Sequence, residues 1–231
     1  MPHPLLRTML LLLLLLPGLG WCQEAAYIEQ VIASLQRMDA IDLDQDWYFV
    51  MTAQQDTELL VTESDPTRQP AERRLLRSVN GDAPSEERLE VFREEEKKRL
   101  DDAELQKDTL KYSYMVDVQT LSLLHATGDL ATLTFTPNIQ AFESDRENLA
   151  GTVVLNTATG MLEEISMKNT GELAPAFSVT IDKYEMVLSF ASQQGETLID
   201  EMKTKLAGSY GFVKSFDSVS VISFGEYRLI K

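Results

Sequence analysis

A chain of 231 residues, 44% hydrophobic and 25% charged, has the composition of a globular protein and room for one large domain or two small ones. A formal net charge of −16 with no basic tract sets nucleic acids and anionic lipid surfaces aside as partners. Cys22 is the only cysteine, so no internal disulfide can form and the apolar core must suffice for stability.

The chain opens with MPHPLLRTMLLLLLLLPGLGWC. Arg7 supplies a positive n-region, Met9 to Leu16 is an apolar run, and Pro17-Gly18 breaks it, which is the pattern of a secretory signal peptide over 1–22. Gly20 and Cys22 fit a cut before Gln23. Leu19-Gly20-Trp21-Cys22 also reads as a lipoprotein signal, with Cys22 lipidated, although Trp21 is bulky for it. An exported protein without disulfides suits a bacterial periplasm, where a lipid on Cys22 would tether it to a membrane.

From Glu24 the period is helical: Tyr27, Ile28, Val31, Ile32, Leu35 and Met38 recur at three and four, predicting a helix over 24–41. DWYFVMTAQ (46–54), TELLVTESDP (57–66) and RRLLRSV (73–79) then read as three antiparallel strands, the last ended by Asn80-Gly81. A highly charged segment follows. Pro84-Ser85 predicts its start as a helix over 85–105, with Glu86 and Glu87 in the first turn and Lys97, Lys98 and Arg99 in the last. Glu94 and Lys98, and Glu95 and Arg99, are spaced to pair along its own surface. Only Leu89, Val91, Phe92 and Leu100 form an apolar edge.

Strand character resumes over 112–138, with Thr127-Gly128-Asp129 as a hairpin turn and ATLTFT (131–136) alternating between faces. Residues 149–156 and 161–167 form another hairpin around TATG. In AFSVTIDKYEMVLSFA (176–191) the apolar parity switches near Asp182-Lys183, which predicts a bulge. Two more strands complete the chain. The expected fold is therefore mainly β (α+β): one domain over 23–231, holding a single large curved antiparallel sheet or unclosed barrel of about 10–11 strands.

Chemistry-bearing motifs are sparse. Beyond the leader, His125 is the sole histidine, beside a hairpin turn, and GSYG (208–211) is not a nucleophile elbow. No D-x-D-x-D-G loop, phosphate loop or G-x-G-x-x-G occurs. The expectation is a non-enzymatic protein that uses no cofactor and no metal.

The layout, with WYFVMTAQ, the ESDPT turn, RRLLRSVNGDAPSEERLEVF and the ending SVSVISFGEYRL, resembles the periplasmic lipoprotein-carrier (Lol-type) superfamily and a group of exported proteins of Gram-negative bacteria near it. The resemblance implies helices over the concave face of the sheet and an apolar cavity between them for lipid acyl chains or a lipoprotein. No family arginine that holds the lid closed can be carried over onto this sequence. The face expected to line such a cavity comprises Leu133, Phe135, Val153, Leu155, Phe177, Val179 and Ile181, with Met186, Leu188 and Phe190 after the bend. These residues serve equally as ordinary core against the helices. Leu89 and Phe92 would seat the charged helix as a lid; a solvated helix crossing one end of the sheet is the plainer reading. The rival function is an envelope protein-interaction or sensor module with a filled core and another envelope protein as partner.

Overall fold

Alternation of apolar and polar residues makes each strand two-faced, and the chain solves this by building one sheet with one covered side. The computed structural model describes residues 18–55, 57–105, 111–211 and 214–230. Helix α1 (Gly18–Asp39) and the short α2 (Leu43–Asp46) precede β1 (Trp47–Gln55), β2 (Glu58–Ser64) and β3 (Arg74–Val79). Then come α3 (Glu86–Leu105), α4 (Tyr112–Met115), β4 (Ser122–Thr127), β5 (Leu130–Phe135), β6 (Leu149–Asn156) and β7 (Met161–Asn169). The short β8 (Leu173–Ala176) leads into β9 (Val179–Gln193), β10 (Glu196–Tyr210) and β11 (Lys214–Leu229).

All eleven strands belong to one antiparallel, unclosed sheet in the order β3-β2-β1-β11-β10-β9-β7-β6-β5-β4, with β8 paired to β9. β11 joins the halves by pairing with β1 on one side and β10 on the other. One row of partners crosses ten strands: Leu123, Leu133, Val153, Ile165, Leu188, Met202, Ile222, Ala53, Leu60 and Val79. Every member is apolar. This is the face that the helices cover.

Helix α1 lies across β4, β6, β7 and β10 and buries Val31, Leu35 and Met38 completely or nearly so. Its 3–4 spacing, read from the sequence, is what gives it a single core stripe. The bulge expected near Asp182 is present: pairing with β10 slips between Lys183 and Ile181. Gly208 sits opposite, where a Cβ would come within 2.0 Å of the Thr180 carbonyl oxygen, so only glycine lets the two strands approach there. Gly151 is crossed by the Phe135 ring, 2.4 Å from where a Cβ would stand.

Three expectations are corrected. Residues 112–120 are not strand: the Asp39 carboxylate accepts hydrogen bonds from the Tyr112 and Ser113 N–H groups (2.6 and 3.1 Å) and starts α4, a cap supplied from 73 residues away. In α3, Lys97, Lys98 and Arg99 fall short of the last turn, because the helix runs on to Leu105. The ion pairs of α3 also do not keep to its own surface. Arg88 reaches Glu58 as well as Glu95, and Arg99 reaches Asp44 as well as Glu96.

Among the described residues no helix is long and apolar enough to cross a membrane. The apolar N-terminal segment 1–17 lies outside the described residues, as does the side chain of Cys22, whose backbone falls in α1.

Candidate functional site

Six of the ten residues expected to line a cavity come together as solid core under α1: Leu133, Phe135, Val153, Leu155, Ile181 and Leu188 are each no more than 5% exposed. Met186 and Phe190 are half-buried and pack against them. Val179 is half-buried at the start of β9. Phe177 stands apart, 99% exposed in the turn before β9, where Ser178 takes a positive φ of 68° and turns the chain outward. Leu89 is half-buried and Phe92 buried, where α3 meets β3 and the 3-10 turn Pro70–Glu72. His125 is exposed on the edge strand β4, with Nε2 3.4 Å from the Thr132 hydroxyl.

Among the described residues, a cavity of about 960 Å³ lies elsewhere, between the sheet, the α1–α2 corner and α3. None of those ten residues lines it, nor do Leu89 and Phe92. Its apolar wall is Met38, Ile41, Leu43, Phe49, Tyr112, Ile199 and Phe224. Phe49 and Phe224 face each other across the β1–β11 ladder with ring centroids 6.0 Å apart. Two residues along the same face of β11 from Phe224 comes Ile222, a half-buried member of the ten-strand row, so the cavity abuts that row. Its size falls in the range of sites for small molecules, about 300–1,000 Å³.

Helix α3 contributes charge to this cavity rather than apolar surface: Glu95, Lys98 and Arg99 line it. Arg99 donates to Asp44 (3.1 Å) and to Glu96 (2.8 Å), while Arg74 of β3 donates to Asp44 (3.2 Å) and lies 4.0 Å from Glu96. Two arginines and two carboxylates thus close a ring that ties α3 to β3 and α2. Burial pushes the Asp44 carboxyl up, but Arg74 and Arg99 together outweigh it and hold the group below the usual carboxylate range. Tyr112 is pushed up to about 12, by burial first and then by Asp39, so it stays a neutral phenol.

A separate polar cluster lies on the opposite face. Glu63, 4% exposed on its side chain, pairs with Arg77 and with Arg68 (3.4 Å), and accepts from the Tyr48 hydroxyl (3.1 Å). The Arg228 guanidinium stacks 3.9 Å above the Tyr48 ring. Glu63 thus finds its donors in Arg68, Arg77 and Tyr48, which is how a structural polar cluster is built. Among the described residues no group of three His, Cys, Asp or Glu could hold a metal ion.

The sequence signal for the real cavity wall was weak. Ile41 and Leu43 lie in a corner, and Phe49, Ile199 and Phe224 belong to strands with no clean alternation. Only their convergence in space selects them. No family model, no curated protein and no solved structure matches this chain.

Proposed function

We propose that the protein is a non-enzymatic binding protein of the periplasm, carrier-like, which holds a lipid acyl chain or the acyl part of a lipoprotein between its sheet and helix α3. The observation that carries this reading is the cavity of about 960 Å³, walled by aromatic and aliphatic side chains from β1, β10, β11 and the α1–α2 corner. Transfer of an acyl chain into such a space is favourable by about 0.8 kcal/mol per methylene. It needs no directed chemistry, only an entrance. Helix α3 supplies one, because it is seated by Phe92 and by the Asp44–Arg74–Glu96–Arg99 ring instead of by a broad apolar face.

The delipidated protein is expected to bind a fluorescent fatty acid saturably at one equivalent. Leu43→Trp, which adds bulk from α2 into the cavity, should weaken that binding at least tenfold while circular dichroism stays unchanged. Absence of saturable binding across several acyl ligands would overturn the reading. Native mass spectrometry of protein isolated from its own cells tests export, and its mass distinguishes a removed Cys22 from an acylated one.

A second reading, an envelope protein-interaction module, is favoured by a different feature. Phe177 is fully exposed beside Tyr210, 52% exposed, and their turns are joined by the Gly211 N–H donating to the Ser178 carbonyl (2.6 Å). Crosslinking from position 177 to a discrete envelope protein would support that reading, and its loss in Phe177→Ser would localise the contact.

A further inference from the structure

We infer that the ligand of this cavity carries an anionic head, a carboxylate or phosphate monoester, seated at the α3 side of the mouth by Lys98 and Arg74. The inference rests on the acyl-binding reading and adds the chemistry of the other end of the molecule.

The polar groups of the cavity wall are unequally used. Every acid there has its donors. Asp39 takes the two α4 N–H groups, Asp42 takes the Gln45 N–H (3.0 Å), Asp44 takes Arg74 and Arg99, and Glu95 takes Arg88 (3.2 Å). The cations are less completely matched. Lys98 has no acceptor among the described residues. Arg74 keeps its Nε–H buried and unpartnered although its terminal nitrogens engage Asp44 and Glu96.

A buried donor without an acceptor is costly, so at Arg74 the wall is short of an acceptor. An anion fits that deficit, and its charged acceptors make the stronger class of hydrogen bond. A cationic or purely donating head would meet acids that are already satisfied. Position matters as well: Lys98 is exposed at the rim, while the apolar wall lies inward at Phe49, Ile199 and Phe224. An amphiphile would therefore enter tail first. The chain's net −16 does not oppose this, because the head meets local donors rather than the distant field, which salt screens beyond about 8–10 Å.

The test compares three probes of equal chain length on the delipidated protein: dodecanoate, dodecyl phosphate and dodecanol, each by displacement of a bound fluorescent acyl probe. The expected result is that one or both anions bind at least tenfold tighter than the alcohol. Lys98→Gln should then bring the anions down toward the alcohol, and added salt should do the same. If the anion that binds best is the phosphate, the head is a phosphate monoester; if the dodecanoate, a carboxylate. Equal binding of all three overturns the anionic head but leaves the acyl site standing. Binding of none of them, with the protein folded, overturns the acyl site and this inference with it.

Discussion

One row of side chains crosses the whole sheet, and its two halves behave differently. From β5 to β9, Leu133, Val153, Ile165 and Leu188 are at most 3% exposed. From β10 to β3, Met202, Ile222, Ala53, Leu60 and Val79 are equally apolar in type yet only half-buried. A parallel row sharpens the contrast: Phe135, Gly151, Met167 and Met186 give way to Thr204, Ser220, Gln55 and Glu58. The cause is the covering helix. Helix α1 offers Val31, Leu35 and Met38 at helical spacing and fills its side, whereas α3 is so charged that Phe92 alone is buried among its described side chains. Packing closes one half of the molecule. Charge pairing holds the other half shut without filling it.

The largest effect should come from attacking the packed half. Leu35 of α1 is fully buried against the sheet. Leu35→Ala removes its side chain from a close-packed site and should cost about 2–5 kcal/mol, read as a shifted denaturant midpoint at unchanged slope. A cost below about 1 kcal/mol would mean that this half is as loosely filled as the other.

In the second half, Asp44→Asn removes the acid that two arginines share. Its side chain is 30% exposed, so solvent screening limits the global loss to about 1 kcal/mol or less. The local effect should be larger than the global one: amide exchange across 86–105 should quicken while that of β5–β9 stays slow. If both halves respond alike, the ring does not hold α3 in particular.

Acid approaches the same contact more gradually. The Asp44 carboxyl titrates below its ordinary 3.8 in the folded protein, outweighed burial notwithstanding. Its stabilising contribution is therefore complete above about pH 4, the unfolded value, and is lost as pH falls through the depressed folded value. Exchange within α3 should rise below pH 4 before the α1 half opens, and Asp44→Asn should abolish that early phase. An α3 that loosens between pH 5 and 7 would point to some other group.

How much of this was legible in the sequence follows the same division. The row from Leu133 to Leu188, the α1 stripe, the bulge at Asp182 and the Ser85 start of α3, whose hydroxyl accepts the Arg88 N–H at 3.2 Å, are local patterns that the chain writes in order. Alternation and 3–4 spacing report them directly. α4 and the cavity were not legible because distant residues make them. Tyr112 reads as strand until the Asp39 carboxylate arrives from the end of α1. Likewise the charges of α3 suggest pairs along its own axis until Asp44, Glu58 and Arg74 lie within reach. Leu133 and its neighbours lie on the helix-covered face of the sheet. Which part of that face stays open depends on the helix laid over it.

Phe177 belongs to neither half, and the smallest effect is expected there. Alternation in AFSVTI puts it on the same parity as Val179 and Ile181, but β9 begins only at Val179 and Ser178 turns the chain with positive φ. A phenyl ring that is 99% exposed has already paid the cost of contact with water, so Phe177→Ser should change stability by no more than about 0.5 kcal/mol. Fatty-acid binding should be equally indifferent, since the cavity wall does not include this turn. A clear loss of stability would mean that the ring is covered in solution, by a second copy or by residues outside those described. Unchanged stability and acyl binding, with loss of a crosslinked envelope partner, would instead separate two surfaces of one protein: a tail-accepting cavity under α3 and an aromatic tip at the far end of β9.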